Sequence, residues 1–295
     1  MLLRGSQELS SSAVTAAAVV ALALAAPALA SNKVTTGATA VSISVVDANA
    51  AILSYRAHGS AWTVTATGAI NARFPNPRAQ QLSFKLVYHQ GEGGSGGCRR
   101  YDGPPLPWLV AACKGVRGDY WAAQAWPRNL PNYGAPATGV AAEYDLRLSH
   151  WRGPLPTLRV GEDWTYRQYD HLYGSLTYMG RPMYGFGTTR PGNPTDRFGV
   201  LLYLDTFDPA YGPGWRRENS FVTHKGSGIF CYGFFPHPPH PSGQGKAYRL
   251  TVVGPGVLPD LFWQAKAPGP YDSARDAAAN AEQRAHFTDK LCHAN

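Results

Sequence analysis

Carboxylates, guanidiniums and aromatic rings crowd into residues 202–221, LYLDTFDPAYGPGWRRENSF. Asp205, Asp208 and Glu218 stand there with Tyr211, Trp215, Arg216 and Arg217. Glu162, Asp163, Trp164 and Tyr166 make a second, smaller group of the same kind. Two chemistries use such residues. Glycoside cleavage needs one protonated and one ionised carboxyl, about 5 to 10 Å apart. Glycan binding needs rings that stack on sugar faces, and arginine adds a fork of donors for hydroxyl or anionic groups. Neighbours in a strand point to opposite faces, so Glu162 and Asp163 cannot share a cleft if that segment is a strand. Asp205 and Glu218 converge only if their strands pair. Arg216 and Arg217 beside Glu218 favour its ionised form, which makes it a poor acid. Trp215, Tyr211, Arg216 and Arg217, with Trp164 and Tyr166, are therefore candidate ligand contacts, and no catalytic residue is assigned. The plainer reading of the same stretch is a turn. DPAYGPG has Asp before Pro and then Gly-Pro-Gly, which is turn chemistry. LYLDTF and NSFVTH flank it as strands, and Tyr211 and Trp215 then pack on the loop's own prolines.

Three other motifs carry less. GGSGG, residues 93–97, matches G-x-S-x-G around Ser95. A nucleophile elbow needs a strand before that serine and a helix after it. A strand precedes it, but Cys98, two arginines and a proline-rich stretch follow, so GEGGSGG reads as a flexible loop. HPPH places His237 and His240 on the same side of a polyproline II helix, about 9 Å apart. Zinc bonds to histidine are only about 2.0–2.1 Å long, so a shared ion requires a bent chain, and no neighbouring ligand completes a set. Cys231 with His224 or His237 would be a thiol and its base, but an even cysteine count favours cross-links. No metal and no cofactor is implied.

The export signal lies at the front. AVTAAAVVALALAAPALA, residues 13–30, is an uncharged apolar run ending in Ala28-Leu29-Ala30. That is the apolar core and small-residue cleavage pattern of a secretory signal peptide, with cleavage expected after Ala30. The other reading is a retained N-terminal anchor, since the run approaches the roughly 20 residues that span a bilayer. No second run of that length follows, so no transmembrane segment is expected after cleavage. The 32 glycines, 24 prolines and 12% aromatics, against only 16% charged residues, suit a rigid β protein outside the cytosol. Net charge is +8. The basic residues are scattered, with doublets at Arg99-Arg100 and Arg216-Arg217 and no nucleic-acid motif, so nucleic acid is not the expected partner. Weak attraction to anionic polymers or lipids of the cell envelope is the partner reading, and a merely solvated basic surface is the plainer one. Cys98, Cys113, Cys231 and Cys292 allow three pairings, of which Cys98–Cys113 and Cys231–Cys292 are favoured. The first closes a short, turn-rich loop, and the second staples the C-terminus to the body.

Strand signals fill the middle. LSFKLVY, EYDLRLS, AWTVTATG, DYWAAQAW, SLTYMGRPMYGF, RFGVLLYLDTF, GIFCYGFF and AYRLTVVG alternate or are rich in β-branched and aromatic residues. In EYDLRLS, Tyr144, Leu146 and Leu148 take one face, and Asp145 and Arg147 the other. Only DSARDAAANAEQRAHFTDKLC reads as helix, with Ser273 and Asp276 as a capping pair. Ala274, Ala278, Ala281, Ala285 and Cys292 form its inner stripe. The expected architecture is all-β, two β-sandwich-like domains with a short C-terminal α-helix. Its parts are a signal peptide (1–30), a flexible N-terminal segment (31–40), a first β domain (41–150), a second (151–268) and the helix with its staple (269–295).

From about residue 148 onward the chain resembles uncharacterised secreted, β-rich proteins of high-GC bacteria. LSHWRGPLP, GRPMYGF, YLDTFDPAYGPGWRRENSF, THKGSGIFCYGF and YRLTVVGPGV carry the resemblance. It implies export and β structure and brings no activity, ligand or catalytic residue. The functional expectation is a secreted, non-catalytic protein of the cell envelope or extracellular space that binds glycan. The alternatives are a secreted polysaccharide hydrolase and a structural or protein-binding module.

Overall fold

The computed structural model describes residues 32–73, 82–91, 93–94, 96–128, 143–165, 169–183, 187–188, 194–195, 201–209, 212–222, 229–234 and 245–285. The signal-like segment lies outside them. Among the described residues no helix is long and apolar enough to cross a membrane. In chain order the strands are β1 (Asn32–Thr36), β2 (Thr39–Asp47), β3 (Ala50–Ala57), β4 (Ser60–Thr67), β5 (Lys85–Gln90) and β6 (Leu109–Lys114). Then come β7 (Tyr120–Arg128), β8 (Glu143–Trp151), β9 (Thr157–Thr165), β10 (Tyr169–Tyr178), β11 (Arg181–Pro182), β12 (Gly187–Thr188) and β13 (Pro194–Thr195). The last are β14 (Leu201–Phe207), β15 (Trp215–Val222), β16 (Ile229–Phe234), β17 (Ala247–Val252) and β18 (Leu261–Lys266), followed by α1 (Ser273–Ala285).

The fold is all-β with one short C-terminal helix, built from antiparallel sheets. Sheet I runs β2-β3-β4-β5 and sheet II runs β1-β8-β7-β6. Sheet III runs β15-β14-β17-β18. In sheet IV, β9 pairs one edge of β10, while β11 and β16 share the other. β12 and β13 form a separate two-stranded ribbon.

Alternation explains the first core. In β3, Ala51, Leu53, Tyr55 and Ala57 point inward, while Ser54 and Arg56 point away. Val64 and Ala66 of β4 join them, and Trp121, Ala123, Leu146 and Leu148 of sheet II close over them. Residues 32–36, expected as a flexible lead-in, instead form the edge strand β1 on β8, because Val34 has this core to fill. The second core lies between sheets III and IV, where Leu172, Leu176, Leu202, Leu204, Phe230 and Leu250 meet. Ala122 and Trp151 of sheet II reach into it.

Sheet II is therefore covered on both faces. EYDLRLS reads as a half-buried strand, yet Asp145 and Arg147 are buried too. Alternation reports polarity, and polarity does not require water when each charge has a partner. Lys33 Nζ lies 2.9 Å from Asp145 Oδ1, and Arg147 Nε lies 3.4 Å from Asp260 Oδ2.

The helix departs from expectation at its cap and its face. Asp272, not Ser273, caps it: Asp272 Oδ1 accepts from Ala274 N at 2.8 Å and Arg275 N at 3.0 Å. Those two N–H groups hold the Asp272 carboxyl below its ordinary range. Ala274, Ala278 and Ala281 are exposed, and Asp276, Ala279 and Asn280 are buried instead. Asn280 Nδ2 donates to Asp276 Oδ2 at 2.9 Å, so the inner face is a polar pair around one alanine. The helix packs on β9, where Arg275 Nε meets Asp163 Oδ2 at 3.1 Å. Cys98 and Cys113 form a disulfide. The side chain of Cys231, and all of Cys292, lie outside the described residues.

One buried pair pins the end of the first core. His150 Nε2 lies 2.7 Å from Asp119 Oδ2, and its Nδ1 lies 2.8 Å from the Ala69 carbonyl. Trp121 stacks on that ring with centroids 3.8 Å apart. Burial pushes the Asp119 carboxyl up, but the bond from His150 and backbone N–H groups outweigh it and hold it below 3.8. A depressed carboxyl stabilises the fold fully above its ordinary value and loses that contribution as pH falls through the folded value. Asp119→Asn is expected to cost on the order of 3 kcal/mol at pH 7. Urea midpoints measured from pH 7 to pH 2 should show the gap between variant and parent closing only below pH 3.8.

Candidate functional site

The hairpin read from LYLDTF and NSFV exists, as β14 and β15. Phe207 pairs with Trp215, Thr206 with Arg216 and Asp205 with Arg217. A bulge follows, because Leu204 pairs with Asn219. Glu218 is the extra residue of that bulge and so has no place opposite Asp205, although the strands do pair. Asp208 shapes the turn. Its φ of +48° is left-handed, and its Oδ1 accepts from Gly214 N at 2.7 Å. Lys246 Nζ lies 2.9 Å from Asp208 Oδ2, and these two donors hold the carboxyl below its ordinary range.

Asp205 is fully buried between two guanidiniums. Arg217 Nε donates to Oδ1 at 2.5 Å. Arg249 of β17 donates to Oδ2 from Nε at 3.1 Å and Nη2 at 2.8 Å. Two cations on one carboxylate leave an excess positive charge in the interior, and aromatic faces surround it. Arg217 lies 4.5 Å from the Tyr203 ring centroid and 5.4 Å from that of Trp126. Arg249 lies 4.3 Å from Trp215 and 5.6 Å from Trp108. The negative π faces partly replace the water these cations have lost.

The candidate ligand contacts are thus dispersed. Trp215 stacks on Arg249 and tilts against Phe207 at 5.2 Å. Arg217 is buried against Asp205. Arg216, half-buried, sits on the opposite side of β15. Trp164 lies at the helix junction, with Nε1 donating to the Gly269 carbonyl at 3.0 Å and its ring edge-on to Tyr271. Tyr166, Tyr211, Ser95, His224, His237 and His240 lie outside the described residues. With both oxygens accepting from arginine and no exposure, Asp205 cannot reach a glycosidic bond. Among the described residues no three His, Cys, Asp or Glu side chains converge as a metal centre needs.

An open groove of about 600 Å³ lies elsewhere, on the outer face of sheet I. Ser42, Ser54 and Ala61 come from neighbouring strands, with Ala40 and Arg56 beside them and Gly93 and Gly94 opposite. Tyr55 and Trp62 complete the lining, though their rings pack against the first core. The register explains the polar row: Ser42 pairs with Ser54, Ser54 with Thr63 and Thr63 with His89.

The glycine-rich stretch is the groove's wall. Thr63 Oγ1 lies 3.0 Å from the Gly91 carbonyl and 3.2 Å from that of Gly93. A Cβ on Gly94 would fall 2.6 Å from Ile52, and one on Gly96 would fall 2.9 Å from the Val45 carbonyl. Gly97 then pairs with Val45 through two backbone bonds of 2.8 and 3.1 Å. The glycines are there for close approach to the sheet. Sequence reasoning missed this groove. The signal was present as small polar residues on the non-core faces of VSISVV and ILSYRA.

Asp205→Asn is expected to destabilise the protein by about 3 to 5 kcal/mol, because it strands two buried cations. Ser54→Ala, on the groove floor, should leave the denaturation midpoint within about 0.5 kcal/mol of the parent. Comparison with known proteins found no matching family model, no similar curated protein and no similar solved structure.

Proposed function

We propose that the chain is a secreted, disulfide-stabilised β protein that holds a glycan or other envelope polymer without reacting it. The observation that carries this reading is the groove beneath the glycine wall. Its volume of about 600 Å³ falls in the range of small-ligand sites. Hydroxyls of Ser42 and Ser54 both donate and accept, which matches the hydroxyls of a sugar chain. Small residues at Ala40, Ala61, Gly93 and Gly94 leave the backbone approachable. The signal-like N-terminus and the resemblance to secreted β-rich proteins support export, and the Cys98–Cys113 disulfide suits an oxidising compartment. The acid-pair alternative loses its best carboxylate, because Asp205 is enclosed by Arg217 and Arg249.

Retention of the oxidised full-length chain on a panel of insoluble polysaccharides tests this. Ser54→Trp fills the groove floor and should reduce retention at least tenfold, with an unchanged melting temperature. No retention of the parent on any polymer would reject the reading, as would full retention of the filled variant.

A further inference from the structure

We infer that the groove selects a chain bearing an oxyanion, a carboxylate or a sulfate, and that Arg56 is the residue that reads it. This rests on the groove being a binding site. Among the described residues Arg56 is the only cation of its lining. It is exposed on β3, and the alternation that turns Leu53 and Tyr55 inward sends it out beside Ser54. Its backbone is fixed on both sides, by pairing with Thr39 of β2 and Ala61 of β4.

Among the described residues its side chain forms no ion pair. Arg147, Arg217, Arg249 and Arg275 each meet an aspartate within 4 Å. Among the described residues Arg56 meets none, and no carboxylate lines the groove. A guanidinium presents paired N–H donors that match the two oxygens of a carboxylate or sulfate. Ser42 and Ser54 stand beside it as hydroxyl partners for the neighbouring sugar. A neutral chain can use the serines but leaves the guanidinium without an anion. An acidic chain uses both. Charge-assisted bonds of this kind are roughly twice as strong as neutral ones, so the preference should be about tenfold or more. A merely solvated surface arginine would confer no preference.

Calorimetric titration of the oxidised full-length chain with three soluble oligosaccharides of one backbone, neutral, carboxylated and sulfated, tests this. The acidic forms should bind at least tenfold tighter than the neutral form, and which of them binds tighter identifies the oxyanion. Arg56→Gln should erase that difference between acidic and neutral forms. Arg56→Lys should keep part of it, since it retains the charge and loses the fork. Equal binding of neutral and acidic forms by the parent would overturn the inference while leaving the groove reading intact. So would an acidic preference that survives Arg56→Gln. Absence of binding by all three removes both.

Discussion

A carboxylate enclosed by two guanidiniums holds the second half of this protein to the first. Asp205 gathers Arg217 from β15 and Arg249 from β17, so three strands of sheet III share one electrostatic knot. The knot reaches beyond its sheet through rings. Trp126 of β7 lies under Arg217 and edge-on to Tyr203, with centroids 4.9 Å apart. Trp108, just before β6, lies under Arg249 and edge-on to Phe262 of β18 at 5.0 Å. Burying charge is costly unless donors, acceptors and π faces replace water. Here they do so together, and removing the carboxylate would leave both cations with only the rings.

Sheet II can be covered on both faces because the same solution is repeated along β8. Asp145 has Lys33, Arg147 has Asp260, and His150 on the opposite face has Asp119. Gln124 adds a neutral version: its Oε1 accepts from Asp260 N at 2.9 Å, while its Nε2 reaches the Pro107 and Asp260 carbonyls. Apolar alternation builds one side of the strand and paired charges build much of the other. Chain segments more than a hundred residues apart are joined here by hydrogen bonds, not by packing alone.

This explains which parts were legible. Strands and turns are local, so the β14–β15 hairpin, the β7 and β8 pairing segments and the Cys98–Cys113 loop could be read from adjacent residues. Arg217 could not, because its neighbour Arg249 arrives from another strand and Trp126 from another sheet. The doublet Arg216-Arg217 reads in sequence as a pair of ligand-facing donors. In a strand they point to opposite faces, and one of them went inward. The helix shows the same limit. Its alanines suggested an apolar stripe, while the buried face was chosen by Asp276 and Asn280, which can satisfy each other at i, i+4.

The groove was hidden for the opposite reason. Its residues are unremarkable singly, and only the register of sheet I sets Ser42, Ser54 and Thr63 in a row. A glycine-rich stretch looks like a tether because composition reports freedom in the unfolded chain. Contact with Thr63, Ile52 and Val45 uses the missing side chains for proximity instead. Gly97 also caps the open edge of β2, which protects sheet I from pairing with another strand. The same loop therefore serves the fold at one end and shapes the groove at the other, and the disulfide at Cys98 ties the end that serves both. The densest chemistry in the sequence was drawn inward to hold sheets together, while the groove on sheet I is lined by small polar residues and one arginine that, among the described residues, meets no carboxylate.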